Sequence, residues 1–309
     1  MPSVIVQSQA EKQQALADPS RSLLRAVWWC LSAGILACVC LLVWVEFLGP
    51  RNPPAMATGQ GVAPSRAASM AAMPSTSRRC TPQTPCLALV IDDIGRDQAM
   101  LQRLMQVPLP LTFAILPHGR DTDQAVAALR AVGREYLLHA PLEPTSPRQI
   151  SDEPLVISRR SEIGAVFRDM ARRVPGAVAF NNHMGSAFCR SKEAVSSLVE
   201  SARGKFRFAL DSKTTTDSHL CRIARGSGLP CLERDVFLDD PNDATTVDYR
   251  LQRAVRRAKE RGWAIAIGHP QAATLDALTR FSRGNDLIVV PLSVLAQTKG
   301  ALTGKSAGT

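Results

Sequence analysis

From residue 86 onward the chain repeats one pattern: short apolar runs rich in Val, Ile, Leu and Phe, separated by amphipathic stretches of helical period. The apolar runs do not alternate with polar residues. Each therefore predicts a strand buried on both faces, which requires a parallel sheet covered by helices. The runs are Leu87–Ile91, Leu111–Leu116, Glu135–His139, Ala177–Asn181, Phe206–Leu210, Pro230–Leu232, Ala264–Ile267 and Leu287–Val290. The intervening helical stretches include Gln98–Gln106, Asp121–Val132, Ser161–Val174, Lys192–Arg203, Val247–Arg261 and Ala272–Ser282. About eight such units in roughly 210 residues predict an α/β fold, a distorted or incomplete (β/α) barrel of about seven strands. A doubly wound open sheet is the alternative, and no Gly-rich dinucleotide fingerprint accompanies it.

The residues before this pattern read differently. Ala26 to Val45 holds no charge, and twenty such residues make a helix of ~30 Å, the thickness of a bilayer core. Trp28, Trp29 and Trp44 sit near its two ends, and Lys12, Arg21 and Arg25 precede it. The excess of basic residues on that side predicts a cytoplasmic segment 1–25, a transmembrane signal anchor at 26–48 and an extracytoplasmic remainder, on the inner membrane facing the periplasm. Cleavage as a signal peptide is the competing reading, and Pro53-Pro54-Ala55-Met56-Ala57 is a poor site for it. Residues 49–84 contain six Pro, no acidic residue and no aromatic residue, the composition of a flexible linker. The folded body is expected at 85–298, followed by a flexible tail at 299–309.

The formal net charge of +10 raises the question of nucleic acid. Residues 85–298 carry 28 basic against 24 acidic side chains, so more than half of the excess lies outside the expected body. No nucleic-acid partner is expected on that distribution. Outside the apolar span the cysteines are Cys80, Cys86, Cys189, Cys221 and Cys231. In an oxidising compartment Cys80–Cys86 and Cys221–Cys231 are plausible local pairs, with Cys189 left over, although sequence alone does not fix pairing.

In either α/β architecture, function gathers at the C-terminal ends of the strands. There the sequence places Asp92-Asp93, Pro117-His118, His139 with Glu143 four residues on, Asn181-Asn182-His183, Asp211-Ser212, Asp239-Asp240 and His269-Pro270. Four of the five histidines fall on this one rim. Imidazoles with a carboxylate form a ligand set suited to Zn²⁺ or a similar divalent ion. His118 reads as a loop histidine, Asp239-Asp240 as a turn before Pro241, and Arg234-Asp235 as a structural ion pair.

The segments LALVIDDIG (87–95), PLTFAILP (110–117), EYLLHAPLEP (135–144), AFNNHMGSAF (179–188), FALDSKTT (208–215), RDVFLDD (234–240) and AIAIGHP (264–270) resemble, in order, the divergent polysaccharide deacetylase family. The resemblance implies a metal-assisted hydrolysis on a distorted barrel of the (β/α)₇ type. It implies Asp92 as general base and Asp93 as a metal ligand, with His139 and His183 completing the ligand set and His269 as the late-strand acid. The usual His-x-x-x-His of the third strand is here His139-x-x-x-Glu143, so Glu143 is either a ligand or a group behind one. Asp211 is expected to hold a ligand or acid histidine, and Asn181 and Asn182 to meet sugar hydroxyls or brace the loop. The family's Arg-x-Pro-aromatic substrate loop has no clear match.

The resulting expectation is a membrane-anchored, metal-dependent deacetylase using a divalent ion, Zn²⁺ in the first instance. Its substrate would be N- or O-acetylated envelope polysaccharide or a peptidoglycan-like sugar. The alternative is a catalytically weak or inactive barrel that binds glycan or a cell-envelope protein, and protein partners are not specified by the sequence.

Overall fold

The computed structural model describes residues 80–303 apart from 151, 152, 161, 285 and 286. The apolar span at 26–48 and the linker as far as residue 79 lie outside the described residues. Among those described, no helix is long and apolar enough to cross a membrane.

The strands are β1 (Cys86–Ile94), β2 (Thr112–Ile115), β3 (Tyr136–Leu142), β4 (Ala179–Met184), β5 (Phe208–Asp211), β6 (Cys231–Glu233), β7 (Val236–Phe237), β8 (Trp263–Gly268) and β9 (Ile288–Val289). The helices are α1 (Gln98–Met105), α2 (Thr122–Ala131), α3 (Ile163–Arg173), α4 (Lys192–Ala202), α5 (Leu220–Gly226), α6 (Ala244–Arg261), α7 (Ala272–Phe281) and α8 (Leu292–Thr303). All ladders are parallel, in the order β6-β5-β4-β3-β2-β1-β8-β7. This is a curled parallel sheet, a distorted (β/α) barrel whose two end strands, β6 and β7, are consecutive in the chain but do not pair. β9 joins β1 at Cys86 and Leu87, on the edge that β2 occupies further along.

Apolar runs of four to nine residues become strands here because both sheet faces are dry. One face meets the helices through Leu87, Leu89, Ile91, Phe113, Leu138 and Phe180. The other fills the barrel with Ala88, Val90, Ala114, Leu137, Ala179, Phe208, Leu210, Ile265 and Ile267, sealed below by Leu292 and Leu295 of α8. Helix starts follow their caps: Asp97 accepts from the Met100 N–H, Ser191 from Ala194 and Asp243 from Thr246. α6 stops at Gly262, which has φ +86° and lies so close to Thr81 that a Cβ there would come within 2.7 Å of its backbone.

Two elements escape the sequence pattern. β7 has only two residues, too few for any period, and α8 runs into the expected tail, whereas α5 forms where the sequence expects a helix around His219, which is its N-cap. At the other end, Thr81 and Thr84 pair in a turn, so the last residues of the expected linker belong to the folded unit.

Among the described residues two disulfides form, Cys80–Cys86 and Cys221–Cys231, and Cys189 is buried and free. The second ties α5 to β6 across ten residues. Closing a loop of that length in the unfolded chain contributes about 2–3 kcal/mol. Replacing both Cys221 and Cys231 by Ser is expected to lower the unfolding free energy by that amount. Urea titrations of the two proteins check it, and coincident curves would contradict the assigned pair.

Candidate active site

In a strand every second residue shares a face. The barrel-filling residues Ala88 and Val90 are followed on that face by Asp92, Leu137 by His139, and Ala179 by Asn181 and His183. Likewise Phe208 and Leu210 lead to Ser212, and Ile265 and Ile267 to His269. The apolar interior thus passes directly into a polar layer at the C-terminal rim. Asp92, His139, Asn181 and Asn182 are almost wholly buried.

Asp93 would point to the opposite face. It does not, because it has φ +57°, and the β1–β2 register shifts between Ile91 and Ile94. A bulge of this kind re-aims a side chain, and the left-handed backbone of a non-glycine residue marks a site that the surrounding fold must enforce. The result brings two adjacent carboxylates toward one centre.

There, Asp93 Oδ1, His139 Nε2 and His183 Nδ1 form a triangle. Oδ1 lies 3.2 Å from His139 Nε2 and 2.9 Å from His183 Nδ1, and the two nitrogens are 3.1 Å apart. Tetrahedral zinc ligands at ~2.0–2.1 Å from the ion stand roughly 3.3 Å from one another. The three atoms therefore sit close to the spacing that one cation requires, and they are the described residues' Asp-His-His candidate for a metal site. Asp93 Oδ1 is buried yet accepts no well-directed hydrogen bond, as an oxygen reserved for a cation would.

Each imidazole is held from behind. Asn181 Nδ2 donates to Asp92 Oδ1 (2.9 Å) and Ser212 Oγ (3.1 Å), which leaves Asn181 Oδ1 to accept from His139 Nδ1 (2.9 Å). The proton of His139 is thereby placed on Nδ1 and the lone pair of Nε2 faces the triangle. His183 Nε2 meets Glu153 Oε1 at 2.9 Å, which turns Nδ1 inward in the same way. Arg96 in turn pairs with Glu153. His269 gives Nδ1 to Asp239 Oδ1 (2.8 Å), while Asp239 Oδ2 takes the His269 backbone N–H (2.5 Å) and the Thr274 hydroxyl (2.7 Å). Gly268 makes room for this: a Cβ there would meet Asp239 Oδ2 at 3.2 Å.

The electrostatics follow from burial and these partners. Burial raises the Asp92 carboxyl above the usual carboxylate range, against the opposing pull of His139 and His269. Burial also pushes Asp93 upward, but the two imidazoles beside it outweigh that and hold it well below its ordinary value. Burial alone would lower His183 and His269. Asp93 and Glu153 instead raise His183 to about 9, and Asp239, Asp93 and Asp92 raise His269 to about 9.

The other expected residues lie as follows. Glu143 turns to Arg159, with Oε1 2.9 Å from Nη2 and Oε2 accepting from the Arg159 backbone and Ser158. It is not among the three converging groups that could hold a cation. Arg159 holds its carboxyl down at about 2. Asp211 accepts from the Lys213 N–H and bonds Ser218, and the carboxylate that holds His269 is Asp239 instead. Asn182 braces the chain, donating to Met184 O and Thr214 and accepting from Ser212 N. His118 lies near Asp169, with Nε2 at 4.0 Å from its carboxylate. Asp235 pairs with Arg257 and Arg261 rather than with Arg234, which donates to the carbonyls of Ser212 and Lys213.

Sequence reasoning missed two site residues. Asp239 follows the two-residue β7 and read as a turn before Pro241, and no spacing distinguishes it from Asp240. Glu153 lies on the excursion that leaves β3 and returns to pair at Leu142 and Ile157. Nothing local in the sequence brings a residue of that loop to a histidine thirty positions away.

Comparison with known proteins adds the lineage. The family model described as divergent polysaccharide deacetylase matches residues 89–295. Over 212 residues the chain is 30% identical to the uncharacterised protein YibQ of Escherichia coli (strain K12), covering 68% of this chain and 66% of that one, a little under two thirds of its length. Over 193 residues it is 32% identical to a protein of Haemophilus influenzae, covering 62% and 69% respectively. The crystal structure of ATU2773 from Agrobacterium tumefaciens C58 superposes with a TM-score of 0.64 at 21% identity, covering 69% of this chain and 89% of that one, and shares the fold. With the family model matching most of its length, the chain belongs to the divergent polysaccharide deacetylases.

Proposed function

We propose that the protein is a metal-dependent hydrolase that removes acetyl groups from N- or O-acetylated envelope carbohydrate, a polysaccharide or a peptidoglycan-like sugar. The observation that carries this reading is the triangle of Asp93 Oδ1, His139 Nε2 and His183 Nδ1, each imidazole held from behind so that one ring nitrogen is turned inward. Asp93, His139 and His183 would hold a divalent cation through three protein atoms, the number found in catalytic zinc sites. A divalent cation held there would supply Lewis acidity, making a water more acidic and polarising an acyl carbonyl.

The chain's own groups then supply the proton transfers. Asp92 stands beside the triangle, with Oδ2 3.7 Å from His139 Nε2, and Asn181 fixes its other oxygen. Its raised pKa makes it the stronger proton acceptor of the aspartate pair, so it takes the proton of the attacking water. His269 is held by Asp239 on Nδ1 and is protonated at neutral pH, with Nε2 on the opposite side of the ring. It gives its proton to the departing amine or alkoxide, and the products are acetate and the deacetylated sugar. Metal analysis of the purified protein, with assays on acetylated chitooligosaccharides and peptidoglycan fragments with and without chelator, tests the reading. A chain that stays metal-free after zinc or cobalt reconstitution would put the non-catalytic glycan- or protein-binding alternative in front.

The protons of the site give it a direction with pH. Before a cation enters, His183 carries a proton with a pKa raised to about 9, and ligation requires the neutral ring. Uptake therefore releases this proton. Apparent metal affinity is expected to rise with pH by up to ~10-fold per unit and to level off above about 9. Titrations at several pH values, with proton release followed in weak buffer, check this. An affinity constant from pH 6 to 9 would contradict it.

Anchoring through residues 26–48 belongs to the same proposal, and the uncharged span with its preceding Arg21 and Arg25 supports it. A reporter fused after Thr84 is expected to be active outside the cytoplasm, with the chain retained in the membrane fraction. A reporter active only in the cytoplasm would defeat the envelope location.

A further inference from the structure

The barrel has a seam. β6 and β7 end the sheet on either side, and only Arg234 and Asp235 separate them in the chain. A cavity of about 490 Å³ occupies this seam. That volume lies within the range of small-molecule sites, roughly 300–1,000 Å³.

Its walls are strongly basic. Lys213 comes from the loop after β5, Arg225 from the end of α5, Arg234 from the β6–β7 connection, and Arg257 and Arg261 from the last turns of α6. Against these five cations stand two carboxylates, Glu233 and Asp235. Glu233 is met by Lys213 at 3.4 Å and by Arg225 at 3.1 Å, and Asp235 by Arg257 at 3.1 Å and Arg261 at 2.6 Å. Each carboxylate is thus shared by two cations, and Arg234 meets none in the seam: its Nε and Nη2 go to backbone carbonyls. The lining keeps three more positive than negative groups. The guanidinium of Arg261 lies over the Trp263 ring, with Cζ 4.5 Å from its centroid, at the cavity wall.

We propose that this seam cavity binds a diphosphate-class anion. Planar guanidinium forks match phosphate oxygens two at a time, and several converging on one cavity favour a multiply charged ligand over a single carboxylate. Each phosphate group carries about −1.5 to −2 charges at pH 7, so two linked groups offset the excess. The site is separate from the Asp93–His139–His183 triangle, none of whose residues lines the cavity.

The test uses the full chain stripped of divalent cations, so that chelation does not imitate binding. Inorganic pyrophosphate is titrated calorimetrically and in thermal melts, with sulfate at matched ionic strength as the control. Wild type is expected to bind pyrophosphate at least 10-fold more tightly than sulfate and to melt at higher temperature in its presence. Arg257→Gln/Arg261→Gln is expected to lose binding at least 10-fold. Lys213→Gln, which leaves the Asp235 pairs intact, is expected to weaken it several-fold, so a folding defect in the double variant does not decide the matter. His183→Ala is expected to bind as wild type does. Equal responses to pyrophosphate and sulfate, unchanged affinity in both seam variants, or loss of binding in His183→Ala would each overturn the assignment.

Discussion

Asp92→Asn is expected to keep its cation and lose hydrolysis. The carboxamide can still accept the Asn181 Nδ2 hydrogen bond that Asp92 Oδ1 now takes, so the packing beside His139 is retained. The group removed is the proposed base, not a member of the candidate ligand triangle. Losing a positioned general base lowers the rate by ~10²–10⁴-fold. Metal content by elemental analysis should match wild type, while turnover of an acetylated glycan falls by that factor. A variant that lost its metal in parallel would place Asp92 among the ligands. A variant with full activity would remove it from the chemistry.

The second large effect concerns the cation itself. His183→Ala takes one of the three proposed ligand atoms and is expected to abolish tight metal binding, read by elemental analysis and direct titration. Glu153→Ala leaves the ligand but frees its Nε2 to rotate and exchange protons, since that nitrogen now meets Glu153 Oε1 at 2.9 Å. Losing a partner of this kind weakens metal affinity by ~10–100-fold. Glu143→Ala should leave affinity within a few-fold of wild type, because Arg159 and Ser158 already occupy its carboxylate. His118→Ala should also be near neutral. The ordering is the test: Glu143→Ala losing metal as completely as His183→Ala would show that Glu143 turns inward when a cation binds. Glu153→Ala matching wild type would make the Glu153–His183 contact incidental.

The Glu143 position illustrates how far a motif carries. The spacing His139-x-x-x-Glu143 sets an acid where relatives of the broader deacetylases carry a second histidine. It does not say which way that acid faces. The direction is decided by Arg159, brought back to β3 when Ile157 bonds Pro141 and Glu143 through the backbone. Asp211 shows the same limit from the other side. Its place at a strand end made it a candidate partner for a histidine, yet the β5 end directs it to its own loop, and Asp239 arrives from β7 to hold His269.

Period and order were legible along the chain because each depends on near neighbours. The non-alternating apolar runs determined a parallel sheet with two dry faces, since every strand residue had to be buried whichever way it pointed. The two-residue period of a strand then carried Asp92, His139, Asn181, His183 and His269 onto the face that fills the barrel. Tertiary structure alone decided the rest. The bulge at Asp93, with φ +57°, depends on how β2 registers against β1, and it brings a second carboxylate to the site that strand period would have turned away. The carboxylates behind His183 and His269 come from Glu153 and Asp239, each thirty residues away in sequence. No local pattern encodes such a contact, because it exists only after the sheet has curled and its loops have closed over the rim.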